Sequence, residues 1–466
     1  MNTGISQQTL SHNQLRRTFW RYTIPAIAAM LVSGLYQISA GIFVGHYVGF
    51  QGLAAINMAW PIVFILSGLG LMVGMGGGSH ISIARGAGQQ TQANRALLAS
   101  IWLIVLLALV AFMALQCLSE PLMQLQGATE ATLQLGQGYI AVFQWGAAIT
   151  IASTALPMLI RNDDSPRVAT ALLVMGALGN ILLDYLFVAV LGLGLNGAAY
   201  GTIIAQTAVC LGASYYLCSS HSGFRPRLKD ALPRAGEFAR IVQLGASALL
   251  MYLYTSFMVA AHNHQFMQYG TTLSVSAFAI VGYLMTLYYL LAEGIAEGVQ
   301  PPVSYFHGAR QPGNIIAIVK LGAKVTLLFG LSWLALLNLF PETMIGLFAD
   351  NNPLLTQEAR TGIRIHLAAI WLEGLIVLAA MYFMAISKGG MALAISLTNM
   401  LIQLPFLYLL PLFLGETGVW LAMPLSNLLL ALLVLPRFWR HLHARSHLAD
   451  GTRQAPDGAL AKHPAV

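Results

Sequence analysis

The sequence predicts an all-α integral membrane protein with twelve transmembrane helices. They form two six-helix lobes related by a pseudo-two-fold axis along the membrane normal. Three observations predict this. Only 8% of the 466 residues are charged and 57% are hydrophobic, against roughly 25% charged in a soluble domain. Mean hydropathy is +0.71, so lipid is the solvent for most of the surface. Apolar stretches long enough to cross a core of about 30 Å at about 1.5 Å per residue recur along the chain, and the basic residues fall on one side of them. Closed β-barrels show alternating segments of about 10 residues instead, and the continuous apolar runs exclude one.

The elements follow in order. Residues 1–15 are polar and read as a cytoplasmic tail. The first apolar stretch is too long for a signal-peptide core and lacks a convincing cleavage site, so it is expected to act as its own insertion signal. The amino-terminal lobe, 16–218, holds spans near 17–43, 53–83, 95–118, 135–160, 167–190 and 196–218. Pro25 removes a backbone donor inside the first span, where a kink is expected. Gly68, Gly70, Gly74, Gly76, Gly77 and Gly78 in the second span let neighbouring backbones approach, with a hinge as the alternative. A polar, basic linker containing Pro226 and Pro233 occupies 219–236. The carboxy-terminal lobe, 237–441, holds spans near 238–267, 274–305, 317–340, 357–386, 391–413 and 418–439, and 442–466 reads as a second cytoplasmic tail.

Orientation follows from charge, because excess Lys and Arg marks the cytoplasmic side. With the amino terminus inside, 21 of the 23 basic residues fall on cytoplasmic segments, Arg161 and Arg167 among them, and only Arg360 and Arg364 fall near the other face. Outward loops carry Glu120, Glu130, Glu342, Asp350, Glu358 and Glu416. Both termini are therefore expected to be cytoplasmic. The net charge of +7 reflects this topology and calls for no nucleic-acid partner. Cys117, Cys210 and Cys218 all lie within spans and read as small buried apolar residues. His441, His443 and His447 suit either a metal or a solvated tail, and the tail is the ordinary outcome.

Two segments repeat at nearly one shift. Ser82 to Gln89, SIARGAGQ, returns 222 residues later as SYFHGARQ, and Leu191 to Ala198, LGLGLNGA, returns 221 residues later as LFLGETGV. Six spans per copy is an even number, so the copies keep one orientation, and carriers built from such parallel repeats hold substrate between the lobes. The charges do not repeat: Pro405 stands where the second copy would place Asp184.

A charge at the bilayer centre costs at least about 2.5–3.5 kcal/mol by insertion scales, so four intramembrane acids stand out: Asp184, Glu293, Glu297 and Glu373. No predicted span holds a Lys or Arg deep enough to pair with them. Asn180 shares a helical face with Asp184, and Thr202 on the next span can add a hydroxyl. These hard oxygen ligands suit H₃O⁺ or Na⁺; the alternative is that Asn180 and Asp184 only bond each other and tie two helices together. Glu293 and Glu297 share a face and would repel if both ionised, which suits proton exchange or attraction of a cationic substrate, unless they lie at a helix end in water. Glu373 has no local partner. His80, His262, His264, His307 and His366 read as satisfied buried or interfacial residues. Met251, Tyr252, Tyr254, Tyr288 and Tyr289 suit either an adaptable cavity or lipid-facing packing. No nucleophile–base pair, metal constellation or Walker lysine appears, so no enzyme, metal or cofactor is expected, and energy must come from an ion gradient or a partner protein.

Four segments together resemble the multidrug and toxic compound extrusion (MATE) family over nearly the whole chain. They are PAIAAMLVSGLYQISAGIFVGHYVGFQGLAA (25–55), RNDDSPRVATALLVMGALGNILLDYLFV (161–188), GIAEGVQPPVSYFHGAR (294–310) and SKGGMALAISLTNMLIQLPFLYLLP (387–411). The G-x-x-x-G-x-Q-P pattern in the third is closest to the bacterial multidrug-efflux branch. The resemblance implies an inner-membrane exporter that acts as a monomer, exchanging small amphipathic, cationic organic compounds for H⁺ or Na⁺ by alternating access. Asn180, Asp184 and Thr202 match the family's cation site in the amino-terminal lobe, and Glu373 matches an acidic position of the other lobe. Two acids of the family pattern are missing, with Ala40 and Thr255 in their places. A site with one carboxylate attracts Na⁺ less, so H⁺ is the favoured coupling ion. A lipid-linked saccharide flippase of the same superfamily and a non-transporting receptor or scaffold are the alternatives. The flippase would need buried basic residues, and a receptor would not need four intramembrane acids.

Overall fold

The structure is a computed structural model that describes residues 10–48, 50–125, 130–224, 235–346 and 353–453. Every described element is helical. In the amino-terminal half these are α1 (His12–Tyr47), α2 (Phe50–Gly86), α3 (Gln90–Leu125), α4 (Glu130–Trp145), α5 (Ala147–Arg161), α6 (Pro166–Asp184), a π-helical segment (Tyr185–Val190) and α7 (Gly194–Cys218). The other half holds α8 (Ala235–Tyr269), α9 (Thr272–Gly308), α10 (Pro312–Leu339), the short α11 (Pro341–Ile345), α12 (Pro353–His366), α13 (Ile370–Ala385), α14 (Gly389–Leu414) and α15 (Glu416–Arg453).

Nine helices among the described residues are long and apolar enough to cross a membrane. Two bent pairs, α4 with α5 at 60° and α12 with α13 at 48°, bring the number to eleven. With α1 they make the twelve spans read from the sequence. The large side chains that remain exposed, such as Leu109, Val110 and Met113 on α3, Leu182 on α6 and Phe413 on α14, are apolar. Such a surface is costly in water and ordinary against acyl chains. Cys117 and Cys218 share it: both are exposed, which corrects their reading as buried residues, while Cys210 is half-buried. The helices also overrun the predicted tails, since α1 begins at His12 and α15 continues to Arg453. Most of the linker, 225–234, lies outside the described residues, as do 1–9 and 454–466.

The two halves share one plan. The turn residues with positive φ fall in matched places: Gly88 with Arg310, Asp164 with Ser387, and Gly194 with Gly415. These pairs are 222, 223 and 221 residues apart. Helix contacts duplicate as well. α2 packs on α3, α5 and α8, and its counterpart α9 packs on α10, α13 and α1; α6 packs on α1 and α7, and its counterpart α14 packs on α8 and α15.

Each lobe has an apolar core, and a third core joins the lobes. That one brings Leu15, Phe19, Leu71, Met75 and Met158 against residues of the carboxy-terminal half, including Phe438 and Leu442. It lies at the end of the bundle where α1 starts and α15 leaves. Glycine makes the approach possible. A Cβ on Gly86 would sit 1.9 Å from the Tyr305 carbonyl oxygen, and one on Gly308 would sit 1.8 Å from that of Ile83. The two contacts are images of each other under the repeat. Gly76 meets Ile241 and Gly245 meets Met72 in the same way, so close packing is the role of at least these glycines of α2. α1 runs as one helix through Pro25, whose carbonyl accepts the Thr170 hydroxyl of α6 at 2.9 Å.

Candidate functional site

Asp184 is the last residue of α6, where the chain passes into the π-helical segment Tyr185–Val190. Single π turns inside α-helices cluster at functional sites, because the extra residue breaks the regular ladder and re-aims side chains. The structure brings the predicted trio together. Asn180 Nδ2 donates to Asp184 Oδ1 at 3.2 Å and to Thr202 Oγ1 at 3.1 Å, and the Thr202 hydroxyl donates to the Ala198 carbonyl at 3.0 Å. Asp184 and Asn180 are buried, and Asp184 Oδ2 and Asn180 Oδ1 are left without hydrogen-bond partners. Gly201 of α7 admits the carboxylate, since a Cβ there would lie 2.6 Å from Asp184 Oδ1. Two unsatisfied buried oxygens in one trio are costly, and a proton or a small hard cation is the group that would satisfy them.

Glu373 lies in the first turn of α13, buried, with neither carboxylate oxygen completing a hydrogen bond. Asn427 of α15 is the polar side chain beside it, and the tyrosines Tyr288 and Tyr254 are near enough to interact with its charge. The side chain of Thr255, expected in place of a family acid, lies outside the described ones.

The two glutamates of α9 separate in role. Glu293 lines a cavity of about 220 Å³ whose walls come from the carboxy-terminal lobe and, at Phe64, from α2 of the other. Met251, Tyr252, Tyr254 and Tyr289 line it too, as the cavity reading of these residues expects, whereas Tyr288 does not. Glu297 is fully buried and is bridged by Arg161 Nη1 at 2.5 Å. This corrects the expectation that no basic residue reaches the intramembrane acids. Its position at the end of a span places Arg161 on a cytoplasmic segment, yet it is only 1% exposed and crosses from one lobe to the other.

Arg161 opens the polar run Arg161–Asn162–Asp163–Asp164, and each of its residues has a separate anchor. Asn162 shares hydrogen bonds with Ser82 at 2.7 Å and, across the lobes, with Gln300 at 3.4 Å. Asp163 accepts from Arg85 at 2.7 Å, the Gly223 N–H at 2.9 Å and the Tyr216 hydroxyl at 3.1 Å. Asp164, held at φ 61°, pairs with Arg21 at 3.1 Å and accepts the Tyr22 hydroxyl at 2.5 Å. Ser79 adds a further link between lobes, to Ser304 at 3.1 Å and to the Met384 carbonyl at 3.2 Å. The signal that could have found the hub is four consecutive polar residues capping an apolar span.

Histidines also meet in ways the sequence left open. His262 and His366, on α8 and α12, lie with ring centroids 5.4 Å apart, and both line the cavity. Each binds a carbonyl through Nδ1, His262 that of Met258 and His366 that of Trp420, while His262 Nε2 has no partner. His441 is part of α15, bonded to the Tyr382 hydroxyl at 2.8 Å and to Lys388 at 2.7 Å, which corrects its reading as a solvated tail residue. No group of three or more His, Cys, Asp or Glu suited to a metal occurs among the described residues.

Two parallel six-helix lobes with isolated buried acids in each define a polytopic membrane protein of the carrier type. The family model described as MatE matches residues 25–186 and 246–409, and the chain belongs to that family. Among its relatives, the multidrug export protein MepA of Staphylococcus aureus (strain N315) is 24% identical over 417 residues, covering 89% of this chain and 92% of that protein. The MepA protein of Staphylococcus saprophyticus is 23% identical over 409 residues, covering 86% and 90%. Solved structures share the fold. An outward-facing multidrug resistance MATE family transporter of the MOP superfamily superposes with a TM-score of 0.87 at 22% identity, over 94% of this chain and 99% of that one. A MOP superfamily transporter from Pyrococcus furiosus, described as having a binding pocket of reversed polarity, does so with the same values.

Proposed function

We propose that the chain is a secondary active multidrug exporter of the bacterial cytoplasmic (inner) membrane, with both termini inside. It exchanges H⁺ for small amphipathic organic cations by alternating access, as a monomer. The observation that carries this reading is the buried trio of Asp184, Asn180 and Thr202, with two unsatisfied oxygens and one carboxylate. A proton satisfies Asp184 with a single O–H bond. Na⁺ needs a fuller oxygen shell and more negative charge than one carboxylate gives, and Ala40 offers no side-chain ligand. Glu373 is the corresponding candidate in the other lobe. In alternating access, protonation of such acids biases the equilibrium between the two facing states, by as much as the proton's affinity differs between them. The names of the relatives support drug export, and the intramembrane acids Asp184, Glu293 and Glu373, none of them in an ion pair among the described residues, support cationic cargo.

Dye efflux from vesicles, driven first by a pH gradient and then by a Na⁺ gradient, tests the reading. Efflux is expected with the pH gradient alone, and Asp184→Asn is expected to abolish it at unchanged expression. Efflux driven only by Na⁺ would overturn H⁺ coupling, and wild-type efflux by Asp184→Asn would remove Asp184 from the mechanism.

A further inference from the structure

Trp420 of α15 is only 1% exposed, and three residues of α12, each about one turn from the next, rest on it. Glu358 Oε1 accepts the indole N–H at 3.2 Å. A Cβ on Gly362 would sit 2.7 Å from the indole edge. His366 Nδ1 donates to the Trp420 carbonyl at 3.1 Å. His366, at the inner end of this stripe, lines the cavity; Glu358, at the end that the charge pattern places outward, does not.

The outermost of these contacts has a second acid against it. Glu416 stands one turn before Trp420 on α15, and its carboxyl is hydrogen-bonded to that of Glu358. Both residues are half-buried. Glu416 also lies over the turn between α8 and α9, where a Cβ on Gly270 would come within 3.0 Å of its Oε1, and that oxygen is buried without a partner. Two ionised carboxylates can only accept, so a bond between them needs one proton; without it, like charges meet at contact distance. We infer that Glu358 and Glu416 form a proton-closed clasp at the outward end of the carboxy-terminal lobe, which fastens α12 to Trp420 when the outside is acidic and lets it go when both acids ionise. The release reaches the cavity, because α12 cannot leave Trp420 without drawing His366 off the carbonyl that positions it. This inference goes beyond the exporter reading and takes from it only which end faces outward.

The elements around the pair bring few other titratable groups. α12 itself adds Arg360, Arg364 and His366, and Arg360 is taken by Glu342 of α11. α8 ends at Tyr269, α9 has none before Tyr283, and α14 has Tyr408. α13 brings Glu373, beside Asn427, and the lysines of α10, Lys320 and Lys324, lie in its cytoplasmic half. Among the described residues the one charge acting on Glu358 is that of Glu416.

The test is amide hydrogen exchange of α12 in the full chain in lipid nanodiscs at acidic, neutral and alkaline pH. Rates are corrected for the intrinsic rise of exchange with pH and referred to α14. The closed clasp holds a proton that the open one releases, so wild-type protection of α12 should fall as pH rises, by up to about tenfold per pH unit. Glu358→Gln puts an amide N–H where the shared proton lies and should keep α12 protected at every pH. Glu416→Gln should do the same, so the inference stays testable if one variant does not fold. Glu358→Ala supplies neither donor nor charge and should be flat with pH and less protected than the wild type in acid. A wild type without a slope, or a slope that persists in either glutamine variant, overturns the clasp. Protection restored at alkaline pH by Ca²⁺ would make the pair a metal site and overturn the proton as its closing group. The readout involves no transport, so failure here leaves the antiport reading standing, and failure of antiport leaves the clasp standing.

Discussion

Asp163 shows how much a single residue in the connection between α5 and α6 has to reconcile. Arg85, the Gly223 N–H and the hydroxyls of Tyr216 and Ser222 all favour its ionised form, yet burial outweighs them and its pKa lies above the ordinary value of 3.8. A carboxyl whose folded pKa is raised takes up a proton more readily folded than unfolded. Its contribution is therefore complete below pH 3.8 and is lost as pH rises through the folded value. Melting of the wild type and of Asp163→Asn across the acid range checks this. The wild type should lose stability relative to the variant as pH rises through that window, and parallel curves would refute it. The neighbouring residues mark the limit of legibility at this scale. Asn180, Asp184 and Thr202 could be grouped because helical spacing places two of them on one face. Arg161 could not be matched to Glu297, because they are 136 residues apart and pairing by periodicity stops at the end of a helix.

Elements were more legible than their irregularities. A run of about 20 apolar residues announces a span whatever its neighbours are, and all twelve were read. The breaks were not. The 60° bend between α4 and α5 turns at Gly146, and the π segment follows Asp184 with no proline or glycine inside it. The glycines of α2 were legible as a packing face, though their partners were not. Gly86 and Gly308 make the sharper prediction. Because each faces a backbone carbonyl, which cannot rotate away, Gly86→Ala or Gly308→Ala must push α2 and α9 apart. Such overpacking typically costs about 1–3 kcal/mol. Both variants should melt below the wild type and transport less. Wild-type melting in either would show that the seam yields without strain.

At the scale of the molecule, the repeated sequence segments and the repeated left-handed turns describe one unit used twice, and the buried charges break that symmetry. Arg161 with Glu297 is the largest departure, a fully buried ion pair between the lobes. Removing one partner of such a pair typically costs about 3–5 kcal/mol, because the other is left uncompensated, whereas replacing both with apolar residues is often neutral. Arg161→Met alone should therefore lower the melting temperature sharply, and Arg161→Met with Glu297→Met should recover most of the loss. Equal losses in the single and double variants would mean that the pair does not carry the contact. Neither lobe contains the pair by itself, so symmetry read from a repeat could not have revealed it.

The glycine seam bears on how the lobes part. Faces built from backbone and hydrogen atoms hide few large side chains, so sliding them apart wets little oily area and forfeits little of the usual hydrophobic gain, about 25 cal/mol per Å². Resistance to opening then comes from the apolar core that joins the lobes, in which Phe19, Leu71 and Met75 share a cluster with Phe438 and Leu442, and from the polar clasps Arg161 with Glu297, Asn162 with Gln300 and Ser79 with Ser304. A joint of that kind parts freely along its glycine stripe and is latched at its apolar end, so its stiffness lies in the latch and not in the bearing surface.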